Sequence, residues 1–435
     1  MGITSADYER FWFPLDNAAK IYPAIISDEV PAVFRLTAVL KQPVKLKSFQ
    51  KVVLLIEKRF PYYKVQLKEG FFWFYLEHLP GHIPIDVDKN ILCKRFSKGE
   101  MLLRILVREN RISVEFSHIL TDGSGGFELL KTILIEYSKA CKADIPVEFP
   151  YMKPDSTMLE EEYEDAYNRY FNKEIPPVIR RSKAFHLPFP LNPIPRFKQS
   201  TFIISLKQIK QIASIQQVNI TVYLISVYLY VLQEIFEDLP PSNKYKKNKR
   251  LRIQVPVDLR NIFPTKTMRN FSLFVMPEID LRLGHYTFDE ILKSVYHQMQ
   301  LETDEKLINK IIARNVGGER KIYVRGIPLF LKSALLRMEF YSLGTSQYSG
   351  VISNMGKMKL PPETEVLIDY FIAVLPPPNK MLKTNCGVIG FGDKLVLSFG
   401  NITRSKEFEN KFKSFLEKQG IHMDTEIKNE KHDLL

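Results

Sequence analysis

Cysteine and tryptophan are scarce in this chain of 435 residues, with three of the first and two of the second. The cysteines, Cys93, Cys141 and Cys386, are odd in number and far apart. That excludes a disulfide framework and the paired spacing of a zinc site, and a reducing cytoplasm is the expected compartment. Long uninterrupted apolar runs are absent too. The longest, Val218 to Phe236, is broken by Asn219, Thr221, Ser226, Gln233 and Glu234 at helical spacing. It is expected to be a buried helix, not a membrane span. The first ten residues carry no basic stretch leading into an apolar core, so secretion is not expected. Gly2 matches a lipidation signal only in part, because Ala6 stands where Ser or Thr is preferred. No phosphate-cradling glycine loop follows a strand and no metal-ligand spacing occurs, so no metal is expected.

What is present is an ordinary globular composition, 45% hydrophobic and 26% charged. The length suits two domains with a cleft between them. A net charge of +13 attracts anions: a phosphorylated cofactor, nucleic acid, an acidic carrier protein or anionic lipid. The densest basic run, Lys244 to Arg252, follows Pro240-Pro241 and reads as a solvated loop; a nucleic-acid partner is not expected.

Along the chain, Ala32 to Leu40 alternates as a strand, and Leu46, Phe49, Val52, Val53, Ile56 and Phe60 space as a helix stopped by Pro61. Tyr62 to Leu76 reads as a hairpin. A second hairpin, Met101 to Val107 and Arg111 to Phe116, runs into Ser117-His118-Ile119-Leu120-Thr121-Asp122-Gly123. Ser124-Gly125-Gly126 is then expected as a flexible turn before a helix marked by Phe127, Leu130, Ile133, Leu134 and Tyr137. Proline crowds the stretch from Tyr151 to Phe197. The expected organisation is a first unit over 1–175, a proline-rich crossover over 176–198 and a second unit over 199–435. In the second half, strands are expected near 200–205, 251–257, 347–353, 367–375, 386–391 and 394–399, with a buried helix near 221–237.

Histidine titrates at about 6.5, which suits it to take a hydroxyl proton and return one to a departing sulfur. At a strand end His118 would be held rigidly toward the cleft, with Gly123, Gly125 and Gly126 keeping bulk away. A His-x-x-x-Asp spacing arises by chance in many chains. The strand before it, the glycines within it and the helix after it make this occurrence more specific.

On these residues the chain resembles the chloramphenicol acetyltransferase-like superfamily: plant BAHD acyltransferases, condensation domains of nonribosomal peptide synthetases and microbial alcohol acetyltransferases. Val255-Pro256-Val257-Asp258-Leu259-Arg260, then Pro264 and Arg269-Asn270-Phe271, resembles a second family stretch, with Arg269 replacing a glycine. The resemblance implies an α/β (α+β) fold of two such subdomains, each a mixed sheet flanked by helices, with the active site in the channel between them. It further implies His118 as general base, with Asp122 and Gly123 in the motif, and a structural ion pair between Asp122 and Arg260. Gly350 to Gly356 is similar to a family segment ending near the catalytic histidine. Ser353 or Asn354 is there a candidate donor to the oxyanion, a backbone turn being an equal reading. Asn270 is a further candidate contact.

The plant Asp-Phe-Gly-Trp-Gly motif is absent, and Ser117 occupies the first of the two adjacent histidines common in condensation domains. The resemblance is therefore nearest to free-standing alcohol acetyltransferase-like proteins. It implies acyl-CoA as co-substrate, no tightly bound cofactor, a hydroxyl or amine acceptor, and a monomer. Two other readings stand beside this one: a stand-alone condensation enzyme taking acyl groups from an acyl carrier protein, and a non-catalytic binding protein of the same fold.

Overall fold

The computed structural model describes residues 11–425, apart from 147 and 178–180. The first half contributes β1 (Trp12–Pro14), α1 (Tyr22–Ile25), β2 (Val33–Leu40), α2 (Leu46–Ile56), β3 (Val65–Glu69) and β4 (Phe74–His78). It continues with β5 (Ile85–Val87), β6 (Leu103–Arg108), β7 (Arg111–Ser117) and α3 (Gly123–Ala140). A short helix, α4 (Ala166–Arg169), lies in the proline-rich stretch, and β8 (Lys198–Ser205) opens the second half. Next come α5 (Leu206–Ile215), α6 (Ile220–Asp238), β9 (Arg250–Asp258), β10 (Ser272–Val275) and β11 (Glu278–Asp280). Four helices follow, α7 (Phe288–Glu302), α8 (Glu305–Arg320), α9 (Ile322–Arg325) and α10 (Leu329–Glu339). The chain ends with β12 (Gly350–Lys357), α11 (Pro362–Glu365), β13 (Ile368–Val374), β14 (Thr384–Phe391), β15 (Lys394–Asn401), α12 (Glu407–Lys418) and β16 (Asp424–Thr425).

Two mixed sheets organise these elements. The smaller has the order β13-β2-β7-β6-β5, the larger β10-β9-β12-β14-β15-β8-β16 with β11 also on β9, and β1-β4-β3 forms a third small sheet. All strands of the larger sheet lie after residue 197, and all of the smaller one but β13 lie before residue 118. β13 crosses back and pairs antiparallel with β2, Phe371 opposite Ala38. Apart from Asp369 its run Ile368 to Val374 is apolar, and it is covered from both subdomains, pairing with β2 of the first and packing Phe371 on Phe391 of β14. Where the sheets meet, a Cβ on Gly387 would lie 2.2 Å from the Ala373 carbonyl oxygen, so only glycine permits that backbone approach.

Each subdomain has its own core. In the first, α2 and α3 pack on the small sheet through residues such as Phe49, Val53, Leu130 and Ile133. The polar face of β2 is also buried: Arg35 donates from Nε to Glu115 (2.8 Å) and from Nη1 to Asp88 (2.7 Å), while Thr37 meets Ser113 at 2.8 Å. Burial is tolerable because each charge finds an opposite partner. In the second core, α6 is buried on nearly all sides, capped by Asn219 accepting from Val222 N–H at 2.9 Å. It is long and apolar enough to pass for a membrane span, yet it is a core helix.

Ser124-Gly125-Gly126, expected as a flexible turn, is instead the first turn of α3. Asp122 is the reason. It caps the helix, its side chain accepting from Gly125 N–H at 3.0 Å, and that cap offsets the poor helix propensity of the glycines.

Candidate functional site at the junction of the two subdomains

His118 directly follows β7, and its backbone N–H donates to the Ala32 carbonyl at 2.9 Å. The imidazole is half-buried. Tyr22 of α1 stacks on it at 5.3 Å with the rings 15° from parallel, and Phe34 of β2 lies 4.8 Å away on a tilted plane. Nδ1 is sealed from solvent with no hydrogen bond of ordinary length and angle. Burial holds the His118 pKa below its ordinary 6.5; the Asp122 charge, the Asn270 side chain and the Thr121 backbone oppose that shift without cancelling it. The ring is therefore neutral at pH 7 and can accept a proton.

Asp122 does not orient that ring. Its carboxylate accepts from Arg260 Nη1 (3.0 Å) and Nη2 (3.2 Å), and from the Phe271 N–H at 2.7 Å. Arg260 spends its remaining donors on Asp258 and on the carbonyls of Thr267 and Arg269. The expected ion pair is thus present, bidentate and largely sheltered, and it ties the start of α3 to the segment between β9 and β10. Ser124, two residues along, adds a hydrogen bond to Asp258 at 2.8 Å.

Asn270 reaches His118, but through the backbone: Nδ2 donates to the His118 carbonyl and to Asp16 Oδ2, each at 3.0 Å. Asn354 is turned away, donating to Thr221 of α6 at 2.9 Å and accepting from the Gly356 N–H. Ser353 lies on β12 opposite Gly387. Neither hydrogen-bonds to the imidazole. Gly123 faces Met355, whose Sδ would stand 2.8 Å from a Cβ at that position.

A cavity of about 590 Å³ opens between the subdomains, lined by Ser124, Gly125, Asp258, Arg260, Met268 and Met355 among others. It reaches the N-terminus of α3, and His118 is not part of its wall. Met355 and Gly123 stand at that end.

Sequence reasoning missed Tyr22, Phe34 and the fully buried Asp16. Asp16 ion-pairs with Arg269 at 3.4 Å and accepts from the Ala19 N–H at 2.8 Å. Arg269, which stands where the resemblance has glycine, donates to the Pro14 and Tyr163 carbonyls and lies over the Phe13 ring, so it anchors the N-terminal segment. A lone aromatic or acid distant in sequence carries no local pattern that could have flagged these contacts.

The two-subdomain arrangement, with a His-x-x-x-Asp loop at the junction, defines the chloramphenicol acetyltransferase-like fold that the motifs implied. No family model matches the chain. No curated protein matches it in sequence. Solved structures do match in fold. TRI101 of F. sporotrichioides, in complex with coenzyme A and T-2, is 12% identical, with 95% of this chain and 99% of that one covered and a TM-score of 0.60. TRI3, the trichothecene 15-O-acetyltransferase of Fusarium sporotrichioides, is 8% identical over 96% of both chains, with a TM-score of 0.61. The epimerization domain from the third module of tyrocidine synthetase B is 10% identical, covering 94% and 95%, with a TM-score of 0.58. These likenesses establish the fold.

Proposed function

We propose that this chain is an acyltransferase that moves an acyl group from a coenzyme A thioester onto a hydroxyl or amine, with His118 as general base. The carrying observation is a half-buried imidazole at the end of β7, whose pKa burial lowers, on a loop tied to the other subdomain by Asp122 and Arg260. In this reading His118 Nε2 takes the acceptor proton as the oxygen or nitrogen attacks the thioester carbonyl. The tetrahedral intermediate then collapses, the C–S bond breaks, and the same imidazolium returns its proton to the leaving thiolate. Acyl and proton are both accounted for without an enzyme-bound acyl group. Burial pushes the Cys93 and Cys386 thiols well above their ordinary range, which disfavours a thiolate nucleophile at either. Coenzyme A bound to TRI101, a protein of the same fold, supports the donor class, and the charge of +13 suits its phosphates. The free cysteines fit a reducing cytoplasm.

The likeness to an epimerization domain favours one second reading, in which an acyl carrier protein presents the thioester. The test is free-thiol release from a set of acyl-CoAs with an alcohol and amine panel, alongside carrier-bound thioesters. Acceptor-dependent release from acyl-CoA supports the proposal. Release from carrier thioesters alone would transfer it to the second reading, and release from neither would overturn both. Mass spectrometry after incubation with donor alone must find no acyl adduct.

A further inference from the structure

A surface helix of a soluble protein normally turns its apolar stripe inward and its charges outward. α10 instead turns a stripe of apolar side chains outward. Leu331, Ala334, Leu335 and Met338 recur at i, i+3, i+4 and i+7 and all face solvent, Met338 at 64% exposure, with Phe330 beside them at 72%. The one charged side chain on the inner side, Lys332, is buried: its Nζ donates to the Phe72 carbonyl at 2.9 Å and lies 3.5 Å from the Trp73 ring centroid.

The face is enlarged by two other segments. The tip of the β3–β4 hairpin docks on the start of α10, the Leu329 N–H donating to the Phe71 carbonyl at 3.0 Å, and it presents Phe71, 74% exposed, and Phe72. Just before α10 in the chain, α9 exposes Ile322, at 88%, and Tyr323. Exposed aromatic and aliphatic side chains from segments some 250 positions apart are thus brought next to one another where the hairpin tip docks on α10. Residues 320–344 carry five basic side chains, Arg320, Lys321, Arg325, Lys332 and Arg337, against a single acid, Glu339. Lys321, Arg325 and Arg337 are exposed.

We propose that this face, α9 and α10 with the Phe71-Phe72 hairpin tip, is a docking surface for an anionic lipid bilayer. The apolar side chains enter the headgroup boundary and Lys321 and Arg325 meet the lipid phosphates. An outward apolar stripe rimmed with Lys and Arg has the chemistry of an interfacial helix, and the positive excess selects a negatively charged leaflet over a neutral one. α10 also covers α1, Arg337 Nε donating to the Ala24 carbonyl at 2.8 Å, and α1 carries the tyrosine stacked on His118. A bound leaflet therefore lies against the cover of that imidazole.

The test is flotation of the full chain with phosphatidylcholine vesicles, with and without phosphatidylserine, at low and high salt, and it needs no acyl transfer. Wild type is expected to float with the phosphatidylserine vesicles, and to float less as salt rises. Lys321→Gln and Arg325→Gln should each weaken partition about fivefold. A triple change, Phe330→Ser, Leu335→Ser and Met338→Ser, should abolish it while leaving the melting temperature unchanged, since these side chains touch little of the protein. The proposal is overturned if wild type stays in solution with anionic vesicles, or if both variant sets float as wild type does. It is equally overturned if the triple change converts a wild-type dimer to a monomer without altering vesicle binding, because the face then belongs to a second copy.

Discussion

Asp122 and Arg260 stand 138 positions apart in sequence and meet through two hydrogen bonds of 3.0 and 3.2 Å. The carboxylate that shares the motif with His118 is thereby committed to the opposite subdomain, and with it the first turn of α3. Removing one member of such a sheltered pair strands the other, at roughly 3–5 kcal/mol. Asp122 would keep the Gly125 and Phe271 N–H groups, so Arg260→Ala should fall at the lower end of that range. Chemical denaturation of the two single variants and the double variant checks this. Additive losses would mean that the pair is not coupled.

Two glycines of the same helix turn should behave differently. A Cβ on Gly125 would lie 2.2 Å from both the Met268 carbonyl oxygen and Thr121 Oγ1, in a place where backbone must move. Gly125→Ala should therefore destabilise by about 1–3 kcal/mol or more. A Cβ on Gly123 meets only the flexible end of Met355. Gly123→Ala should fold with a melting temperature near wild type but turn over more slowly, because the displaced methionine moves into the cavity end. Equal losses of stability in the two variants would contradict this.

The lowered pKa of His118 has a signed consequence for rate. If the neutral ring is the working form, kcat/KM is flat near neutrality and falls as pH drops through a value below 6.5. A pH–rate profile whose acid limb lies above 6.5 would contradict the assignment.

Asp16 is fully buried, and burial raises its pKa from 3.8 to about 6, against the pull of Arg269. Because the folded value lies above the unfolded one, the stability it contributes is complete below about pH 3.8 and is lost as pH rises through about 6. Relative to wild type, Asp16→Asn should thus gain on the order of 2–3 kcal/mol between pH 4 and pH 7. Denaturation midpoints measured across that window give the slope, and a flat or opposite difference would refute it.

Strands β2, β6, β7, β9, β14 and β15 and the buried α6 were legible because each is a strong local pattern, alternating or continuously apolar. The His118 loop was legible from its setting between a hairpin and a helix, and the partner of Asp122 from the resemblance around Arg260. The helices α7, α8 and α10 were not expected from sequence: α7 carries many charges around a narrow apolar stripe, and α10 buries Lys332 while exposing Leu331 and Leu335, which blurs its periodicity. The return of β13 to the first sheet is a tertiary choice, since an apolar run states that it will be buried but not against which sheet. Tyr22 and Asp16 reach the site through chain folding alone, and Asn354 was drawn away by a hydroxyl on α6 that no local reading could weigh.

The central claim is that His118 is the base for transfer from a thioester. The most direct measurement is the rate of acceptor-dependent thiol release by wild type and by His118→Ala, with both proteins shown to be folded by their melting curves. The account predicts a loss of roughly 10²- to 10⁴-fold in the variant with its fold retained. Thiol release at the wild-type rate by a folded His118→Ala protein would contradict it.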